Sequence, residues 1–199
     1  MRRFITSLPG KVFSQLVILA LLLPSFSLIA VSKAIAQVSV QPTLAVVEFQ
    51  NDKAAGTSFG KLVADQLTSE FTKLNTYDVE SAELVDKTVQ TLGISSPPES
   101  KVNLFRIARD LHATYIVSGE ISDYRIVPDE GRNTRHAVVS LSVVVYDVAS
   151  ETALNGASVA PESTSRAKSV DDATLINDAI STGAELAVQK IHNSALPYP

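Results

Sequence analysis

The sequence contains no cysteine among its 199 residues. A chain without thiols forms no disulfide, no thiolate zinc site and no cysteine nucleophile. It also lacks the cysteine to which bacterial lipoproteins attach their amino-terminal lipid. We therefore expect a protein that is soluble or that is held in place by its partners.

The sequence also lacks an excess of basic residues. It carries 17 Lys and Arg against 21 Asp and Glu, for a formal net charge of −4. Nucleic-acid binding needs a basic stripe that replaces counterions on phosphates, and docking onto anionic lipid needs a similar basic patch. The composition therefore disfavours nucleic acid as a partner and predicts, at most, an indirect association with a membrane.

Residues 1–36 have the three parts of a secretory signal peptide. A basic start is followed by an apolar core, Leu16–Leu23, and by small residues at Ala34 and Ala36. Cleavage before Gln37 would leave residues 37–199 as the exported domain, with 13 basic residues and a net charge near −8. An uncleaved anchor is the alternative, but Pro24 interrupts a short apolar run. We predict a periplasmic or outer-envelope location.

The order of apolar patterns beyond residue 42 predicts one α/β domain. A nearly continuous apolar run, 43–49, is typical of a buried strand, and from Phe59 the apolar spacing becomes helical. A short strand, two helices, a strand, a long strand, a hairpin partner and a final helix follow. This order indicates a mixed parallel and antiparallel sheet flanked by helices. The connection 127–136 has the polarity of a mobile loop.

Two patterns identify faces of these elements. In the long strand, apolar residues alternate with small polar ones, which predicts that Val139, Leu141, Val143 and Val145 face the core while Ser140, Ser142 and Tyr146 face away. The final helix should begin at Asp171 or Asp172. Its predicted inward residues are Ile176, Ile180, Gly183, Ala187 and Ile191.

The stretch 54–63, AAGTSFGKLV, raises the question of a phosphate-binding loop. A Walker loop has four residues between its glycines and a hydroxyl residue after the lysine. Here three residues separate Gly56 from Gly60, and Leu62 follows Lys61, so the pattern fails. The structural interpretation is a tight turn at Gly56, a helix cap at Thr57 or Ser58 and the start of a buried helical face.

The remaining polar residues indicate no catalytic, cofactor-binding or metal site. His112, His136 and His192 are far apart in sequence, and none has a metal-ligand spacing. No serine lies in a nucleophile elbow, although counting residues does not exclude a serine triad. The acidic pairs 129–130 and 171–172 are interpreted as loop charge and helix capping. We predict a protein that is not an enzyme and that uses no cofactor.

Taken together, several segments resemble the curli production assembly/transport component (CsgG-like) family. More loosely, they resemble envelope proteins that activate penicillin-binding proteins or support flagellar assembly. The resemblance is carried by LAVVEFQN at 44–51, GTSFGKLVADQLTSEFTKLNTYDVES at 56–81, ELVDKTVQTLG at 83–93, LFRIARDLHATYIVSGEISDY at 104–124 and SLSVVVYDVASETAL at 140–154.

The resemblance implies a non-enzymatic protein-interaction module in assembly or regulation of the cell envelope, with envelope proteins as partners and a possible homo-oligomer. Its binding surface would be an exposed sheet edge or helix face. A secretion-channel component associated with the outer membrane is the alternative. A small-ligand-binding or hydrolytic domain is a third, weaker interpretation.

Overall fold

A seven-stranded mixed sheet organises the residues that the computed structural model describes, 41–51 and 59–194. Its strands are β1 (Thr43–Val46), β2 (Gln50–Asn51), β3 (Asp78–Val79), β4 (Tyr115–Pro128), β5 (Thr134–Asp147), β6 (Thr152–Val159) and β7 (Arg166–Ala167). The helices are α1 (Phe59–Leu74), α2 (Ala82–Thr91), α3 (Lys101–Asp110) and α4 (Asp172–Asn193). The predicted leader, including Ala34, Ala36 and Gln37, lies outside the described residues.

The strand order confirms the predicted mixture of parallel and antiparallel pairing. The main path is β3-β1-β4-β5-β6, with β2 paired to β4 and β7 paired to β5. The pairs of β1 with β3 and β4 are parallel, because a helical crossover separates these strands in sequence. The β4–β5 and β5–β6 pairs are antiparallel and are joined by short turns. The fold is therefore α/β, as the sequence predicts.

Helices cover the two faces of the sheet unequally. On one face α1 and α4 enclose the larger core, which includes the buried Leu67, Phe71 and Ile180. On the other face α2 and α3 pack over β1, the start of β4 and the end of β5, around Phe105 and Ile116. The rest of β4, β5 and β6 on that second face has no described helix above it.

The predicted alternation of β5 is confirmed. Val139, Leu141, Val143 and Val145 are at most 1% exposed, and all belong to the larger core. The intervening side chains are half-buried and point to the other face. A register slip of one residue would reverse these faces, so the apolar set fixes how β5 pairs. All five predicted inward residues of α4 are buried as well.

The predicted start of α4 is confirmed, and local signals also mark the starts of α2 and α3. The Asp171 side chain accepts a hydrogen bond from the Thr174 N–H at 2.9 Å and caps α4. Ser81 and Ser100 cap α2 and α3 in the same way. His112 has φ of 54°, the left-handed conformation expected where a helix turns into a strand. The residues proposed to cap α1, Thr57 and Ser58, lie outside the described residues, as does Gly56.

The predicted loop at 127–136 is wrong in its extent. β4 continues to Pro128 and β5 begins at Thr134, so only residues 129–133 turn. The polar side chains bond to one another across the hairpin: the Asp129 carboxylate accepts from the Thr134 hydroxyl and contacts His136 Nδ1 at 2.7 Å. The interpretation of Asp129 as solvated loop charge is therefore also wrong.

Candidate functional site

Gly60 is structural in the stretch that resembles a phosphate loop. The Phe49 N–H donates to the Gly60 carbonyl at 3.3 Å, and a Cβ atom on Gly60 would lie 2.1 Å from the Phe49 carbonyl oxygen. Only glycine permits this approach between the start of α1 and the chain that leaves β1. Close packing against Phe49 therefore explains the glycine at position 60 without a bound phosphate.

Lys61 lines a crevice between α1 and α2, beyond the carboxyl ends of β1 and β3. The crevice has a volume of about 560 Å³. Lys61 forms an ion pair with Asp86, and this hydrogen bond raises the pKa of Lys61 above its ordinary value. The charges of Asp86, Asp65 and Glu48 act in the same direction. Carboxylates thus surround the lysine, which is an arrangement unsuited to holding phosphates.

The histidines do not converge on a common site. His112 lies two residues beyond α3, His192 lies in the last turn of α4, and His136 lies in β5. The His136 ring has Asp129 at Nδ1 and Glu162 4.0 Å from Nε2. A catalytic triad instead has a hydroxyl nucleophile at Nε2. Within residues 41–51 and 59–194, no group of three His, Asp or Glu side chains is placed to hold a metal ion.

The outer edge of β6 is one end of the strand order of the described sheet. β6 pairs with β5 through seven residue pairs on one side, and no described strand pairs with its other side. The strand contains eight residues, TALNGASV, and none is charged. At the opposite end of the sheet the edge strand β3 has only two residues. β6 therefore offers the longer template for another strand.

The backbone of Ser158 faces outward from this edge. Its carbonyl oxygen accepts a hydrogen bond from Lys190 Nζ on α4 at 3.2 Å. In an antiparallel ladder the N–H and C=O of one residue point to the same side, so the Ser158 N–H also points outward. Near the other end, the Asn155 side chain donates to the Ile191 carbonyl at 3.1 Å. α4 thus holds β6 at two points. The Gly156 N–H donates to the Asn155 side-chain oxygen at 2.7 Å, whereas the Ser158 N–H points outward from an exposed residue.

The open sheet face adjoins this edge. Its side chains are small or polar and are half-buried or exposed. The register places Glu120 opposite Ser142, and Ser142 opposite Ser158. The face comprises Ser118, Glu120, Ser140, Ser142, Val144 and Ser158. Sequence alternation predicted the polar side of β5, but only the strand order shows that this side is uncovered.

No family model and no curated protein matches this sequence significantly. Among solved structures, the fold is similar to lipoprotein GNA1162 from Neisseria meningitidis, with a TM-score of 0.51 and 15% identity over 76% of this chain and 99% of that chain. The LpoB C-terminal domain from Escherichia coli has a TM-score of 0.45 and 16% identity, over 62% of this chain and 84% of that chain. PelC from Paraburkholderia phytofirmans has a TM-score of 0.49 and 16% identity, over 80% of this chain and 91% of that chain.

At 15% identity, the likeness to GNA1162 shows a shared fold and nothing further. The curli part of the sequence resemblance is not shown by these structures. None of the helices between residues 59 and 194 is both long enough and apolar enough to cross a membrane.

Proposed function

We propose that this chain is an exported, non-enzymatic protein-interaction module that acts in assembly or regulation of the cell envelope. We further propose that it binds a partner protein by strand addition at the outer edge of β6. The observation that carries this proposal is the outer edge of β6, which contains no charged residue and with which no described strand pairs. The predicted signal peptide supports export. A fold shared with a protein named as a lipoprotein agrees with an envelope setting.

Strand addition suits this edge for a physical reason. A partner strand gains main-chain hydrogen bonds, and its alternating side chains contact the two faces of the sheet. Natural edges are protected by charges, by prolines or by short length. β6 has eight residues and no charge. Its protection consists of an irregular register near Asn155, the hydrogen bond of the Gly156 N–H to the Asn155 side chain, and the contact of Lys190 with the Ser158 carbonyl. A second copy of the chain is one partner that the edge would accept.

Substitution of Ser158 tests the mode of binding. Ser158→Pro removes an outward N–H without removing a bond of the β5–β6 ladder, and proline is tolerated at such edge positions. Ser158→Ala is the matched control, because it alters the same exposed side chain and keeps the N–H. The tagged chain 37–199 and both variants would be used to capture proteins from envelope extracts, with circular dichroism to verify folding.

We expect the same captured protein with the original chain and with Ser158→Ala, and its loss with Ser158→Pro. Capture that survives in the folded Ser158→Pro variant would contradict strand addition at β6 and move the contact to another surface. If no protein is captured by the original chain, and the chain does not associate with itself, the interaction function is wrong.

A further inference from the structure

The chain segment after β6 covers the neighbouring part of β5. This segment, residues 161–170, is called the strap below. It runs beside the first part of β5, from Thr134 to Val139, where β6 does not reach. The strap thus occupies an edge that would otherwise be as open as that of β6.

The strap is paired with β5 at residues 161–163 and at 166–167, and the Ser163 hydroxyl also accepts from the Ala137 N–H at 2.8 Å. The Val139 N–H donates to the Pro161 carbonyl at 3.1 Å, and the Ser163 N–H donates to the Ala137 carbonyl at 2.8 Å. At the far end, Arg166 and Ala167 form the two-residue strand β7. Between these points Thr164 bonds instead to the Asp178 carboxylate of α4, at 2.9 Å. This pairing is sparser than the ladder between β5 and β6.

The apolar residues that the strap buries are Pro161 and, in part, Val170, which packs against the larger core. Pro161 is buried and packs against Gly183 of α4, where an added Cβ would lie 2.7 Å from the proline ring. Ser163 is the other buried residue, and positions 162 and 164–169 are exposed. Segments with few buried apolar contacts open at a lower free energy than the fold as a whole. Pro161 is placed to remain fixed while the rest of the strap moves.

The Arg135 guanidinium group fastens the far end of the strap. Its Nη1 atom lies 2.6 Å from the Asp172 carboxylate at the start of α4, and its Nη2 atom donates to the Val170 carbonyl. The Arg135 side chain is 23% exposed, so solvent only partly screens these contacts. Hydrogen bonds to a charged group are stronger than neutral ones.

We propose that residues 162–170 of the strap open as a unit, while Pro161 and the remaining sheet stay in place, and that Arg135 controls this opening. Opening uncovers the edge of β5 from Thr134 to Ala137, next to the part of β5 that Pro161 and β6 cover. If the proposed function is right, on which this use depends, the opened strap gives a partner strand a second edge to pair with. The opening itself is a property of the free protein and requires no partner.

Amide hydrogen exchange measures this opening directly. The Ser163 N–H reports the strap, and the Ala157 N–H reports the β5–β6 ladder. We expect Ser163 to exchange at least about 100-fold faster than Ala157, with little dependence on added urea, as local opening requires. Equal rates with equal urea dependence would mean that the strap opens only on global unfolding, and would overturn the proposal.

Variants identify the fastening. Arg135→Gln should accelerate exchange at Ser163 by about tenfold or more, as expected for loss of a charged hydrogen-bond partner, and leave Ala157 unchanged. Asp172→Asn should also accelerate exchange at Ser163, because it removes the ion-pair partner of Arg135. The Asp172 side chain is 60% exposed, so this variant should fold even if Arg135→Gln does not. The matched control is Arg109→Gln, which removes the exposed Arg109–Glu151 pair elsewhere.

Digestion with trypsin provides a second readout, because Arg166 and Lys168 lie in the strap. Cleavage after these residues should be faster in Arg135→Gln than in Arg109→Gln. Equal acceleration at Ser163 and Ala157 in Arg135→Gln would show global destabilisation and would contradict the fastening role. Because these measurements use the free protein, they succeed or fail independently of partner capture.

Discussion

Leu141→Ala tests the central assignment of the fold, that one side of β5 is core. Leu141 is 1% exposed and lies in the middle of the strand. It is opposite Ile121 on β4 and Val159 on β6, and its Cδ2 atom lies 3.6 Å from the position of a Cβ on Gly183 of α4. The side chain is therefore enclosed by two strands and a helix, and its removal leaves a cavity.

The expected cost follows from this enclosure. Loss of a buried leucine side chain destabilises by about 2–5 kcal/mol, and the larger values apply where the surroundings cannot collapse. Strands paired on both sides of β5 resist collapse, so we expect a value in the upper half of that range. For a domain of this size, each kcal/mol lowers the Tm by about 2–4 °C. The Tm of Leu141→Ala should therefore lie roughly 10 °C below that of the original chain.

Urea unfolding followed by circular dichroism measures this free energy. Ser142→Ala is the control, because Ser142 is the next residue in the same strand but points to the open face. Its substitution should change the free energy of unfolding by no more than about 0.5 kcal/mol. If Leu141→Ala unfolds no more easily than Ser142→Ala, the assignment of faces is wrong.

Three further predictions concern processing, the lysine crevice and acid stability. Intact-mass analysis of the exported protein should give an amino terminus at Gln37, and retention of Met1 would contradict the signal peptide. Lys61→Ala should change stability by at most about 0.5 kcal/mol, because the ion pair with Asp86 is exposed. ATP or GTP binding that disappears with this substitution would contradict our interpretation. Hydrogen bonds from Thr134, and then from His136, lower the pKa of Asp129 below its ordinary value. The resulting stability is present above about pH 3.9 and is lost as pH falls through the folded-state pKa. Urea unfolding of Asp129→Asn should therefore show a weaker acid dependence than that of the original chain, and equal dependence would contradict this.

Local patterns were sufficient to predict most elements, because each is encoded within a few turns or residue pairs. The helical spacing from Phe59 and the alternation around Leu141 required only the period of the apolar residues. Asp171 was identifiable as a cap because acidic residues before a helical pattern satisfy its free N–H groups. These features depend on neighbours in sequence, so they can be read without knowing the sheet order.

The remaining features depend on residues that are distant in sequence. Lys61 and Asp86 form an ion pair although they are 25 positions apart in sequence, and no local pattern around either residue indicates this contact. The loop between β4 and β5 was predicted to be too long. Its polar residues indicated solvent exposure, but they bond to one another across the turn and extend the two strands. The open edge follows from the position of β6 at the end of the sheet, which depends on pairing between whole strands.

The rigidity of β6 bears on how tightly a partner strand can bind. Ordering flexible backbone opposes association, so an edge that is already fixed loses less free energy on binding. The core residues Ala157 and Val159 hold β6 on one face, and α4 contacts the strand through Asn155 and Lys190. Beyond Pro161 the strap is held mainly by hydrogen bonds, those of Ser163 with Ala137, of Thr164 with Asp178 and of Val170 with Arg135. A partner strand would therefore pair first with the preformed edge of β6. Pairing with the edge of β5 under the strap would be a separate step, because β6 lies between the two edges, and it would require release of Arg135 from Asp172 and Val170.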